Sequence, residues 1–176
     1  MMTVMTNAPT GGTSERTLSV LVDDHPGVLN RVASLLRRRR FNVDSLNVGA
    51  SEQPGLSRMT IALHADDEAT EQAVKQLYKL IEVRKVTDLS AERFVARELA
   101  LIKMTAHEKS RPQLREIAEL FGARIVDVAP RSLVIEAVGS QERIDGLLET
   151  LRPYGVREIA RSGRVAITRS AVSTDG

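Results

Sequence analysis

The sequence predicts an α+β protein built from two successive βαββαβ units. Three observations carry that prediction. Short segments with apolar residues at period two alternate with segments whose apolar residues recur at i, i+3 and i+4, so strand and helix signals interleave. The same element order occurs twice, over residues 16–90 and 91–170. The 176 residues are too many for one minimal domain and comfortable for two small ones. A βαββαβ unit is the ferredoxin-like, or split βαβ, arrangement: one antiparallel sheet of four strands with both helices on one face.

The elements follow in order. Thr17 to Asp23 is a strand, with Leu18, Val20 and Val22 on one side. Asp23-Asp24-His25-Pro26-Gly27 is a turn into a helix, because Asp is a favourable N-cap and Pro costs nothing in a first turn. The helix is expected to reach about Arg40, with Val28, Val32 and Leu35 as its stripe and Leu29, Ala33 and Leu36 beside it. Leu46, Val48 and Ala50 alternate in a second strand, Pro54-Gly55 breaks it, and Met59, Ile61 and Leu63 alternate in a third. Asp66, Asp67 and Glu68 suit a helix N-terminus, and that helix is expected to run through Leu77 to Leu80 and Ile81. A fourth strand lies near Arg84 to Leu89.

The second unit repeats the order. Ala100, Ile102 and Met104 alternate in a strand, and Ser110 with Gln113 has capping-box spacing. Leu114, Ile117, Ala118 and Phe121 form a helical stripe that Gly122 ends. Ile125 to Val128 and Leu133 to Val138 are strands, and Ser140 can cap a helix carrying Ile144, Leu147, Leu148 and Leu151. Pro153-Tyr154-Gly155 breaks it, and Val156 to Ile167 is extended with an interruption at Ser162-Gly163. The boundary between units is expected near Ser90 to Arg97, and residues 1–15 and 171–176 as polar tails. A sheet face without helices but with outward apolar positions such as Leu21 invites cover from another domain.

Composition removes several function classes. There is no cysteine, so disulfides, iron–sulfur clusters, thiolate zinc sites and a cysteine nucleophile are excluded. His25, His64 and His107 are far apart with no helical ligand spacing, which speaks against a transition-metal site. Residues 16–90 carry 11 Lys and Arg against 10 Asp and Glu, and residues 91–170 carry 14 against 11, so neither half has a nucleic-acid footprint. Aromatics are 3% of the chain, with no Trp, and Leu18 to Asp23 offers none for base stacking. No apolar run approaches the roughly 18–20 residues of a membrane span. Met1 to Glu15 lacks a basic stretch followed by an apolar one, so the cytoplasm is the expected compartment. Asp127, Glu136 and Glu158 are isolated on strands, and the chain has no nucleophile elbow, P-loop or GxGxxG.

The segment richest in chemistry is Asp24-His25-Pro26-Gly27-Val28-Leu29, between strand and helix. A helix N-terminus offers free N–H groups and partial positive charge, and Gly27 lets a ligand come close to the backbone. Such a site suits a small carboxylate, with Asp24 for an ammonium; residues alone favour a plain turn. Asn42 can both donate and accept towards a zwitterion, or serve only as a loop residue. Arg37-Arg38-Arg39-Arg40 complements the helix dipole as a solvated end, or contacts a phosphate or an acidic partner.

Leu18-Ser19-Val20-Leu21-Val22-Asp23-Asp24-His25-Pro26-Gly27-Val28-Leu29 resembles the opening of an ACT domain. Phe41-Asn42-Val43-Asp44-Ser45-Leu46 followed by Leu56-Ser57-Arg58-Met59-Thr60-Ile61 is similar to one family of them, the regulatory small subunit of acetohydroxyacid synthase (acetolactate synthase). Ala123-Arg124-Ile125-Val126-Asp127-Val128 and Ala160-Arg161-Ser162-Gly163 resemble that subunit's C-terminal domain, so the likeness covers about residues 16–170. The resemblance implies a chain with no catalytic residues of its own. Its partner would be a catalytic large subunit holding thiamine diphosphate, magnesium and FAD, which condenses two 2-keto acids with loss of carbon dioxide in branched-chain amino acid synthesis. It implies activation of that subunit and feedback inhibition by valine or another branched-chain amino acid, bound where the ACT domains of a homodimer meet side by side. The effector residues it implies are Asp24, Gly27, Val28, Leu29, Asn42 and Val43. Many members carry Asn where this chain has Asp24, which adds negative charge and places the ligand's ammonium there. A stand-alone double-ACT amino-acid sensor is the alternative, and the Phe41–Leu46 and Leu56–Ile61 matches speak against it.

Overall fold

A computed structural model describes residues 13–169; the expected tails lie outside the described residues except Thr13 and the first-strand residues Ser14 and Glu15. The first unit comprises β1 (Ser14–Asp23), α1 (Val28–Arg38), β2 (Asn42–Ala50), β3 (Leu56–Ala65), α2 (Asp67–Leu77) and β4 (Val83–Asp88). A single 3-10 turn, Leu89–Ala91, leads to the second: β5 (Phe94–Thr105), α3 (Arg111–Leu120), β6 (Arg124–Ala129), β7 (Ser132–Gly139), α4 (Gln141–Leu151) and β8 (Val156–Arg161), then β9 (Val165–Thr168). The strand orders are β2-β3-β1-β4 and β6-β7-β5-β8, antiparallel throughout. These are two copies of the predicted ferredoxin-like α+β topology.

Alternation decides which side chains face the helices. Leu18, Val20 and Val22 of β1 and Ile61 and Leu63 of β3 are fully buried and pack with Val28, Val32, Leu35 and Leu36 of α1 and Ala73 and Leu77 of α2. Ala100, Ile102 and Met104 of β5 play the same part in the second core, with Ile135, Leu114, Ile144 and Leu147. The face of the first sheet away from the helices is also covered. Thr17, Ser19 and Leu21 point there, yet all are buried. The cover comes from within the chain: Phe94–Arg97 extends β5 past its own sheet and pairs with β9. Val95, Arg97, Val165 and Ile167 of this ribbon face Asn47, Gly49, Arg58 and Thr60 of the first sheet across a groove of ≈ 350 Å³.

Several ends differ from expectation. Gly27, not an Asp, heads α1; its φ is 93° and no side chain caps the helix. That left-handed conformation is open to glycine at little cost. The helix ends at Arg38, two residues before Arg40. The second helix stops at Leu77, and Ile81, expected on it, is 82% exposed in the following turn. Asp66 does cap α2, accepting from the Ala69 N–H at 2.7 Å. Ser110 caps nothing ahead of it: its hydroxyl turns back to the N–H and C=O of His107, closing the preceding turn instead. Among the described residues no helix is long and apolar enough to cross a membrane.

Candidate effector site

The loop Asp24–Gly27 joins the central strand β1 to α1. Its backbone is tied down on both sides: the Asp23 N–H donates to Glu82 O and the Asp24 N–H to Gly55 O, each at 2.9 Å. With Gly27 as the N-cap, the Arg31 N–H bonds Gly27 O. The N–H groups of Leu29 and Asn30 meet no acceptor among the described residues. Two unpaired donors on a helix N-terminus form an anion-binding end. A Cβ built on Gly27 meets nothing within 4 Å, so the space beside the helix-capping residue is open.

The charges around the loop are sorted. Arg84 forks onto Asp23 with two bonds of 2.6 Å. Arg31 pairs with the buried carboxylate of Glu82. Asp24 is exposed and has no cationic partner among the described residues. The loop therefore offers N–H donors for a carboxylate and one unmatched carboxylate for an ammonium. Leu29, 47% exposed, adds an apolar wall. The Val28 side chain is in the core at 3% exposure, and its N–H donates to His25 O at 3.5 Å.

Asn42 and Val43 are not brought to this loop within one copy. Asn42 opens β2 opposite His64, and His64 lies opposite Glu15 at the start of β1, whereas the loop follows the end of β1. The eleven-residue helix α1 (about 16 Å of rise) separates the two places. Within one copy, the loop and Asn42 therefore do not form a single site.

Residues 18–85 match the family described as AHAS small subunit-like ACT domain, and residues 97–170 the family described as small subunit of acetolactate synthase. The acetolactate synthase small subunit of Mycolicibacterium smegmatis is 52% identical over 158 residues, covering 90% of this chain and 93% of that one. The protein named probable acetolactate synthase small subunit in Archaeoglobus fulgidus is 46% identical, covering 88% and 97%. The chain belongs to the acetolactate synthase small-subunit family. A crystal structure of the Thermotoga maritima small subunit superposes with a TM-score of 0.84 at 42% identity, covering 90% of this chain and 99% of that one.

The isolated strand acids of the second domain that pair do so at its surface: Glu136 with Arg124 and Glu158 with Lys103. In the first domain Asp44 meets His64 Nδ1 at 2.6 Å. Among the described residues no three His, Asp or Glu side chains come together to hold a metal. Arg37 to Arg40 are exposed and make no ion pair among the described residues, a solvated helix end. The ion pairs that frame the loop, Arg31–Glu82 and Asp23–Arg84, were not visible in the sequence; their partners are 51 and 61 positions apart.

The Asp23 fork has a measurable consequence. Its hydrogen bond to Arg84 holds the Asp23 carboxyl below the usual carboxylate range. A depressed pKa contributes stability above the unfolded value, lost as pH falls through the folded one. Carboxyl-detected NMR titration is expected to find Asp23 titrating below an ordinary aspartate. In Arg84→Met it should move back up; an unshifted Asp23 in the parent chain contradicts the fork.

Proposed function

We propose that this chain is a non-catalytic regulatory subunit that binds and activates the catalytic subunit of acetolactate synthase and makes it sensitive to valine. The observation that carries the reading is the Gly27-headed α1, whose unpaired N–H groups follow the exposed, unmatched Asp24 on the same loop. That pairing complements a zwitterion. The valine carboxylate would take the Leu29 and Asn30 N–H groups, its ammonium Asp24, and its side chain Leu29.

The topology supports a site shared by two copies. The first sheet ends in β2, whose outer edge pairs with no strand among the described residues. A two-fold axis through the middle of β2 would pair it antiparallel with its copy. It would then carry Asn42 and Val43 of one copy to the Ala50 end of the other. That end lies beside the effector loop, since Ala50 opposes Ser57 and Ser57 opposes Val22. Thiamine diphosphate, magnesium and FAD belong, on this reading, to the catalytic subunit.

Reconstitution tests the reading. The purified chain is expected to show no synthase activity alone, to raise turnover of the catalytic subunit, and to make it valine-sensitive. Activity in the isolated chain, or a catalytic subunit indifferent to its addition, would overturn it. Because an effector that favours the assembled form stabilises it by mass action, sedimentation should show a dimer or larger species that persists to lower concentration with valine. A strict monomer with and without valine contradicts the shared site.

A further inference from the structure

Ala160-Arg161-Ser162-Gly163 stands out in the sequence, and the loop binding just described leaves it without a role. Its first half holds the second domain together. Arg161 forks onto the buried Glu98 of β5 with two 2.7 Å bonds and reaches Asp145 of α4 at 2.7 Å. The next residue is fixed to the same strand: the Ser162 N–H donates to Leu99 O and its hydroxyl accepts from the Leu99 N–H.

From that anchorage the chain turns onto the first domain. The Asn47 side-chain amide of β2 donates to Ser162 O at 3.0 Å. Gly163, at φ 74°, presses on β2 so closely that a Cβ would stand 2.8 Å from the Cβ of Ser45. Arg164 then bonds Thr17 Oγ1 at 2.8 Å and Glu15 Oε2 at 2.6 Å on β1, and Gln141 Oε1 at 2.7 Å on α4. Its side chain is 13% exposed, and Thr17 is 1% exposed. Three consecutive residues thus grip β2, β1 and α4 together.

The gripped strands are those that end in the effector residues. Asn42 opens β2, three residues before Ser45 and five before Asn47 (about 10 and 17 Å along the strand). β1 carries Glu15 and Thr17 and runs directly into the Asp24–Gly27 loop. Any shift of β1 against β2 when a ligand closes the site therefore moves the two ends of one tight contact. Close-packed contacts of this kind do not stretch; they move the bodies that they join.

We propose that Ser162–Gly163–Arg164 is an interdomain clasp that carries effector binding in the first domain to the second, with Gly163 and Arg164 as its positioning residues. The proposal rests on the effector reading above. Gly163→Ala forces the clasp off Ser45, and Ser45→Gly added to it gives back the space. Arg164→Met removes the three polar contacts without touching the effector loop.

The test compares the parent chain, Gly163→Ala, Gly163→Ala with Ser45→Gly, and Arg164→Met. Each is measured for valine binding by calorimetry, for valine inhibition of the reconstituted enzyme, and for thermal unfolding of the full chain. The expected result is a half-inhibitory valine concentration raised about tenfold or more in the two single variants. Valine binding to the isolated chain should change by less than about threefold, and the Ser45→Gly double variant should recover part of the loss. The parent should unfold in one transition, and Arg164→Met in two, as its domains part company. Parent-like inhibition in both single variants, or one shared transition retained in Arg164→Met, overturns the clasp. A parent chain that binds no valine overturns the effector reading instead, and the unfolding profile then decides the clasp on its own.

Discussion

Gly27→Asp is expected to abolish inhibition by valine and to leave activation of the catalytic subunit largely intact. Gly27 has φ 93°, and a Cβ there meets no atom within 4 Å. The new side chain therefore has room, and the cost is backbone strain of about 1–3 kcal/mol. Asp is among the residues that tolerate positive φ best, so the fold should survive. The new carboxylate stands at the N-terminus of α1, where it is expected to compete with the ligand's own carboxylate for the Leu29 and Asn30 N–H groups and to repel it. Gly27→Ala carries the strain without the charge and is expected to weaken valine less. Asn42→Ala removes one neutral hydrogen bond, typically about 0.5–1.5 kcal/mol, a shift of roughly two- to tenfold in effector concentration. Activation is expected to persist because feedback is a coupling added to docking, not docking itself. Valine titration of the reconstituted enzyme measures all three. A Gly27→Asp chain that folds, activates and stays as valine-sensitive as the parent places the loop wrongly.

The largest stability effect is expected from two neighbours in β5. Ile102 is fully buried among Met104, Ile135 and Ile144, and Leu101 beside it is 39% exposed on the opposite face. Ile102→Ala should destabilise the second domain by about 2–5 kcal/mol, transfer and cavity costs together. Leu101→Ala should cost under about 1 kcal/mol, as for surface changes away from special features. Urea unfolding reads both as shifts of the midpoint at unchanged slope. Equal costs would mean that the assignment of faces in β5 is reversed.

That contrast shows why the fold was legible. Leu18, Val20 and Val22, or Ala100, Ile102 and Met104, bury one side of a strand each, and period two announces it without help from distant residues. Element ends were read less well where the deciding contact is local geometry. An Asp of the turn looked like the cap of α1, but the turn delivers Gly27 to that position in a left-handed conformation. Ser110 had the spacing for a cap, yet its hydroxyl is spent on His107. Contacts between distant segments were invisible for a different reason. Leu21 announced that something covers its face, but only the length of β5 and its pairing with β9 show that the cover is the chain itself. The candidate site was legible only as a place in the fold. The sequence puts Asp24–Leu29 at a strand-to-helix junction, and it lies there, whereas the separation of Asn42 from it is a property of the folded sheet.

That separation makes mixed dimers the most direct measurement of the account. Gly27→Asp spoils the loop and Asn42→Arg spoils the facing strand, so neither variant alone should bind valine. In a dimer of one with the other, one site joins the two damaged parts and the second joins the two intact ones. Calorimetry on the mixture, after exchange of chains, is expected to recover valine binding, at half the parent's number of sites in each mixed dimer. No recovery in a mixture shown to contain mixed dimers would contradict a site shared between two copies.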